Sequence, residues 1–264
     1  MDTGPGFIHS GDDFLITKSG IMITETTITQ FKGYDTTKTP EFVRARRAAQ
    51  YGNSIDDVVK IMTTDNNGGY ANDWLIGDTK TNEVAKLELG LINYKVWRSK
   101  DTAFVGTNFA TDPKLVKEET TFDINDPSTS PNARKKRMAQ LVHETYKGKL
   151  DDSTGKTIEG DHFDAFNNKT AYDRCVIDGH VDQDPLGCKE FHEGPFFPMG
   201  AVQGKVATAD EAAKMQFWAH MGHPGGDDFL AAPFLKAHPE YAKTQGKYLR
   251  DMKAYPWTLF TASN

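Results

Sequence analysis

Between Phe14 and Asn108 the sequence alternates short apolar or β-branched runs with turn signals, and that rhythm restricts the chain to a sheet-containing fold. Phe14 to Lys18 and Ile21 to Ile28 read as two strands joined by a Ser19-Gly20 turn. The second is rich in Ile and Thr, which suit a pleated, half-buried surface. Asp73 to Asp78, Glu83 to Gly90 and Asn93 to Ser99 read as three more, with Thr79 to Asn82 as a hairpin loop, and Phe104 to Asn108 as a further one. Two helices interrupt the series. Thr39 is the expected N-cap of the first, with Pro40 at its opening position and Gly52 near its end. Ser54 is the expected cap of the second, with Asp57 at the capping-box position.

The second half is less periodic. Asp123 to Asn132 is rich in Pro, Ser and Asp and reads as a loop. Helices are expected over Ala133 to Tyr146, around Gly160 to Phe166, and over Thr208 to His220. Cys175 to Pro198 has almost no periodicity, and there is no internal repeat. Strands beside helices in this order fit a layered α+β or α/β domain, and α+β is the expected class. The expected organisation is a single domain over 1–264, with 1–110 mainly strands plus a helix pair and 111–264 helical and loop-rich.

Composition excludes several functions. A net charge of −6 argues against a broad nucleic-acid surface, which needs clustered Lys and Arg. Arg44 to Arg47 and Ala133 to Arg137 are basic but short, and read as solvated helix faces. No apolar run approaches the roughly 18 residues of a membrane-spanning helix. No signal peptide is visible at the start. The two cysteines, Cys175 and Cys188, are left open as a pair or as free thiols.

Five segments carry a resemblance. They are Ser10 to Phe14 (SGDDF), Ser19 to Ile28 (SG-x₄-ETTI), Asn67-Gly-x-Tyr-x-Asn-x-Trp ending at Trp74 with Asp78 after it, Asn132-x-Arg reaching Arg137, and Gly200 to Val206 (GAVQGKV). In this order they resemble the phospholipase B-like family of N-terminal-nucleophile (Ntn) hydrolases, and more widely bile-salt hydrolases and penicillin-type acyltransferases. The resemblance implies an αββα sandwich of two antiparallel sheets between helical layers. It implies hydrolysis of a linear amide or ester bond in a small acylated or lipid-like substrate, without a cofactor or metal. It also suggests a secreted, periplasmic or lysosomal setting.

The same resemblance assigns residues. Asn108 is implied as the oxyanion donor, Thr27 as a second oxyanion contact and Arg134 as a catalytic neighbour of the nucleophile. Asn67, Asn72 and Arg137 are implied at the substrate. Each has a plainer reading: Asn108 as a chain turn, Thr27 as a strand residue, Arg134 as a surface helix residue, and Asn67 and Asn72 as turn asparagines. Two departures stand out. Gln203 occupies a position where the family shows Asp, and no Cys precedes Ser10, where the family places its nucleophile. The chain is therefore expected to be N-terminally truncated relative to the family. Ser10, Ser19, Cys175 and Cys188 are weak substitutes as nucleophile. A strand lost from the sheet would leave an edge to be covered by the N-terminal residues or by a homodimer.

Two other readings remain. One is a catalytically silent binding or remnant domain. Another is a metal-dependent hydrolase, from His220-Met-Gly-His223 at i, i+3 with Asp227 and Asp228, and the upstream Cys175, Asp178, His180, Asp182, Asp184, Cys188, His192 and Glu193. The spacing matches no standard zinc framework. A dinucleotide fingerprint and a Gly-x-Ser-x-Gly elbow are absent.

Overall fold

The computed structural model describes residues 13–262. They fall into two compact units, one of 13–127 with 208–216 and 261–262, the other of Ser128–Ala207 with Phe217–Phe260. The fold is mixed α and β with antiparallel sheets.

The first unit is built on an antiparallel meander, β1 (Phe14–Ile16), β2 (Ile21–Thr27), β3 (Asn72–Asp78), β4 (Glu83–Leu89) and β5 (Tyr94–Ser99), in that spatial order. The register pairs Ile23 with Ile76, Trp74 with Leu87 and Thr27 with Asn72. Because side chains alternate along a strand, Ile21, Ile23, Trp74, Ile76, Ala85, Leu87 and Leu89 share one face. Helices α1 (Glu41–Tyr51) and α2 (Ile55–Thr63) cover that face with Ala45, Ala48, Ile55, Val58 and Met62. Each fully buried Leu or Ile there contributes about 1.5–3 kcal/mol relative to exposure.

Ser54 caps α2 as expected, accepting from Asp57 N at 3.1 Å. Asp57 departs from a capping box: its carboxylate takes the N–H of Asn53, one residue before the cap. Helix α1 starts one residue later than expected, with Pro40 at the cap position, while Thr39 is held by Asp65. The reading of Arg44 to Arg47 as a solvated face is corrected at Arg44. That side chain is 2% exposed and donates to the carbonyls of Thr39 and Met62.

The opposite face of the sheet buries charge. Asp73 and Glu88 face each other across β3 and β4, and Lys86 Nζ lies 3.1 Å from Asp73 and 2.9 Å from Glu88. Burial pulls the Lys86 ammonium down, but the two carboxylates outweigh it and hold the group above its ordinary value. Glu88 also accepts from Thr111 N, Thr111 Oγ1 and Asp112 N at 2.6–2.8 Å, tying the approach to α3 (Pro113–Glu119) to the sheet.

Phe104 to Asn108, expected as a strand, has no ladder. It is fixed to β2 by side chains instead. A Cβ on Gly106 would lie 2.2 Å from Thr26 Cγ2, so only glycine allows this close approach.

The second unit is loop-rich. Helix α4 (Ser130–Gln140) runs on as a π-helical turn over Leu141–Thr145. It begins inside the expected Asp123 to Asn132 loop, with Thr129 at its cap position. The helix expected around Gly160 to Phe166 lies earlier, as α5 (Asp152–Glu159), started by a reciprocal Asp151–Thr154 capping box. Phe163–Asp164 (β6) and Lys169–Thr170 (β7) then form a small hairpin. Cys175 to Pro198 contains only short 3-10 turns, in line with its lack of period.

The helix expected over Thr208 to His220 is corrected to a single turn, α6 (Ala209–Ala213), which belongs to the first unit. Met215 adopts φ 55° and breaks it. The chain then becomes strand β9 (Gln216–Met221), paired with β8 (Gln203–Val206) and completed by β10 (Thr258–Thr261). Cross-strand pairing overrides the helical pattern there. Helix α7 is Ala231–Ala237.

Candidate functional site

At the end of β2, polar groups gather around Asn108. This residue adopts φ 70°, which Asn tolerates better than most side chains. Its N–H donates to Thr26 Oγ1 at 3.0 Å, its carbonyl accepts from Thr29 N at 2.9 Å, and its Nδ2 donates to Thr27 O at 3.2 Å. Three fixed points hold the amide against the strand, so its direction is set by the fold.

Thr27, Glu25 and Asn72 lie on one face of the sheet, since Thr27 pairs with Asn72 and Glu25 is two residues back. Asn72 is 0% exposed, and in the amide orientation its neighbours dictate, Nδ2 donates to Glu25 Oε2 and Ala71 O at 2.9 Å each. Tyr70 OH donates to Glu25 Oε1 at 3.0 Å and also reaches the Thr27 side chain. Burial, followed by the nearby Asp13 carboxylate, pushes Glu25 up to about 8. Burial and the charge of Glu25 push the Tyr70 phenol up as well. Near neutral pH this corner therefore holds a protonated carboxyl, a phenol and the Asn72 amide, all able to donate a hydrogen bond.

In the second unit, imidazoles and carboxylates meet. His162 Nε2 lies 3.1 Å from His180 Nε2, 3.3 Å from Asp178 Oδ2 and 3.7 Å from Asp227 Oδ2. His223 Nδ1 is 3.1 Å from Asp178 Oδ1, and its ring stacks on His180 with centroids 3.9 Å apart. Burial, then His223, pulls the His180 imidazole down to about 3, so it is neutral.

A family model for Phospholipase B matches residues 1–225. The chain belongs to the phospholipase B family. One curated relative, the Caenorhabditis elegans protein "Putative phospholipase B-like 2", is 33% identical over 82 residues. That stretch is 29% of this chain and 14% of the relative, so the match spans a small part of the relative's length.

Within this phospholipase B family member, the residues proposed from sequence separate. Asn108, Thr27 and Asn72 come together in the first unit. Asn67 is nearby in the chain, and its Oδ1 accepts from Gly69 N at 3.1 Å, stabilising the turn that presents Tyr70. Arg134 and Arg137 belong to the second unit. Arg134 Nε donates to Ser130 Oγ at 3.0 Å, and burial lowers its pKa against the influence of Cys188, Cys175 and Glu190. Arg137 makes a two-pronged ion pair with Asp161, at 2.8 and 2.7 Å, and its guanidinium lies 4.6 Å from the Phe163 ring centroid.

Of the substitute nucleophiles, Ser10 lies outside the described residues. Ser19 donates to Gly52 O at 2.8 Å and serves the turn. Cys175 and Cys188 are buried free thiols. Burial pushes Cys175 up to about 12 and Cys188 higher, so both stay protonated and unreactive. The paired imidazoles expected from His220 and His223 do not share a helix face. His220 sits on β9, and its Nε2 meets the backbone oxygen of His223 at 2.9 Å.

Sequence reasoning missed Glu25 and Tyr70. Both stand inside quoted motifs, Glu25 in the ETTI run and Tyr70 in Asn67-Gly-x-Tyr. A charged residue on the inward face of a β-branched strand was the available signal. His162 was missed because it is distant in sequence from the other imidazoles and falls in no motif.

Proposed function

We propose that this chain is an acyl hydrolase of the Ntn type, acting on linear amide or ester bonds of lipid-like or acylated small molecules. The observation that carries the reading is the three-point fixation of Asn108 on Thr26, Thr27 and Thr29 at the end of β2. Acyl transfer needs donors aimed in advance at the developing oxyanion. Asn108 supplies the amide, Thr27 lines the cradle, and Tyr70 and protonated Glu25 act as proton donors to the leaving group. The roles of Arg134 near the nucleophile, and of Asn67, Asn72 and Arg137 at the substrate, rest on family resemblance. Antiparallel sheets with helices support the αββα arrangement as part of the same proposal. Burial holds both cysteines present protonated, so neither is assigned as the attacking group.

A second reading is a catalytically silent acyl-binding domain. It is favoured by the lack of any histidine among the described residues of the first unit, which leaves a Ser or Thr there without the usual base.

The test is release of p-nitrophenol from p-nitrophenyl esters and of fatty acid from phosphatidylcholine vesicles by the folded chain, with Asn108→Ala beside it. Turnover that falls about 10²–10³-fold in the variant supports the hydrolase. A folded chain that binds the vesicles and releases nothing establishes the silent reading.

A further inference from the structure

The polar cluster of the second unit has no place in the acyl-transfer reading and stands independently of it. His162 precedes β6, Asp178 and His180 follow Cys175, and Asp227 follows Gly226, so three separate chain segments converge. One ligand-type atom from each of His162, Asp178, His180 and Asp227 lies within 4.8 Å of every other.

A hydrogen-bond network is the plainer account, and it fails on capacity. A neutral imidazole nitrogen has one hydrogen to give or one lone pair to offer. His162 Nε2 is nevertheless crowded by His180 Nε2 at 3.1 Å, Asp178 Oδ2 at 3.3 Å and Asp227 Oδ2 at 3.7 Å. One nitrogen cannot bond all three. A cation at their common centre can. Zinc–ligand bonds of about 2.0–2.1 Å in a tetrahedron give edges of about 3.3–3.4 Å, and the three distances bracket that length.

The surroundings are those of a built site. Asp178 is 0% exposed, and its Oδ1 lies 3.1 Å from His223 Nδ1, which orients the carboxylate. A Cβ on Gly225 would lie 2.3 Å from His162 Cε1 and 2.5 Å from Asp178 Oδ2, so glycine alone leaves room for the imidazole and carboxylate to meet. On the far side of His180, Nδ1 meets Gln183 Nε2 at 3.3 Å, and buried Asp182 Oδ1, without a hydrogen-bond partner among the described residues, lies 3.8 Å away. A metal-bound imidazole characteristically turns its other N–H to such a carboxylate. The side chain of Asp227 is 40% exposed, which gives an ion a way in from solvent.

We propose that His162, His180, Asp178 and Asp227 bind one divalent transition-metal ion, zinc foremost, and that this ion staples the loops of the second unit. Two nitrogens with two oxygens suit zinc, cobalt or manganese, whereas magnesium and calcium favour all-oxygen sets. The assignment departs from the sequence reading in two ways. It supplies a metal where none was assigned, and it keeps Asp178, His180 and Asp227 of the metal reading while adding His162 and leaving out His220.

The experiment loads the full chain with zinc or cobalt(II), removes free ion by desalting, and measures metal per chain together with the visible spectrum of the cobalt form. One ion per chain and a tetrahedral cobalt band are expected. Asp227→Asn, at the exposed rim where folding is safe, and His162→Ala should lose the stoichiometric ion. Asp182→Asn should weaken binding roughly 10–100-fold, and His220→Ala should retain it. Absence of stoichiometric zinc, cobalt and manganese in the wild-type chain overturns the proposal. So does full retention by folded Asp227→Asn, or loss confined to His220→Ala.

Discussion

In the first unit, one continuous apolar surface runs from Ile21 and Ile23 through Trp74, Ile76 and Leu87 to Val58 and Met62. In the second, Leu141, Ile158, Val176, Val181 and Phe234 are buried, but the two apolar clusters found among the described residues both lie in the first unit. Seven of the eight histidines and both cysteines are in the second unit. So the two regions are held by different forces, the one by area removed from water and the other by directed polar contacts. Sheet and helices supply the first kind cheaply, because their periodicity gathers apolar side chains on one face. A loop-rich region has no such periodicity and depends on individual charges, imidazoles and caps.

The sharpest way to break the comparison is inside the first unit, where charge also matters. Lys86→Met removes the cation between buried Asp73 and Glu88, and unfolding in urea should show a loss of about 3–5 kcal/mol. A loss well under 1 kcal/mol would mean that this face does not rely on its ion pair. Leu87→Ala, at a side chain 0% exposed, should cost about 2–5 kcal/mol and reduce amide protection over β2 to β4. If protection fell equally over 161–180, the two regions would not differ as described.

Zinc sharpens the contrast from the other side. At one hundred times its dissociation constant it should add about 2.7 kcal/mol, with new protection around Asp178 and His180 and none in β3. Protection gained in β3 alone would place the ion elsewhere.

A further effect concerns pH. Glu25 has a folded-state pKa near 8 against an ordinary 4.5, so the folded chain holds a proton that the unfolded chain releases between those values. Stability from this corner is complete below about pH 4.5 and drains away as pH climbs to 8. Glu25→Gln should therefore match the wild type at pH 4 and melt at a higher temperature than it at pH 9. Parallel melting curves across that range would contradict the protonated carboxyl.

The first unit was largely legible in its sequence because each element declared itself locally. Ile21 to Thr27 alternates, Ser54 caps, and Ser19-Gly20 turns the chain. The exceptions are those where side-chain contacts from afar decide. Phe104 to Asn108 has strand-like residues, yet Gly106 against Thr26 and Asn108 on Thr27 hold it off the ladder. Phe217 and Trp218 were read as helix, and pairing with Val206 and its neighbours draws them into a strand. The site was legible only where it lay on β2 and its partner strand. Asn108, Thr27 and Asn72 could be found from motifs, whereas the convergence of His162 with His180 and Asp227 depends on loop paths that no local pattern encodes.

The Asp73–Lys86–Glu88 group has a consequence for how the meander reaches its final alignment. Shifting β4 against β3 by a single residue would turn Lys86 and Glu88 toward Trp74 and Ile76 and swing Leu87 out among carboxylates. Every off-by-one hairpin would then carry stranded charge in oil and lose its apolar partner in the same step. The triad thus disfavours off-register pairings of β3 and β4.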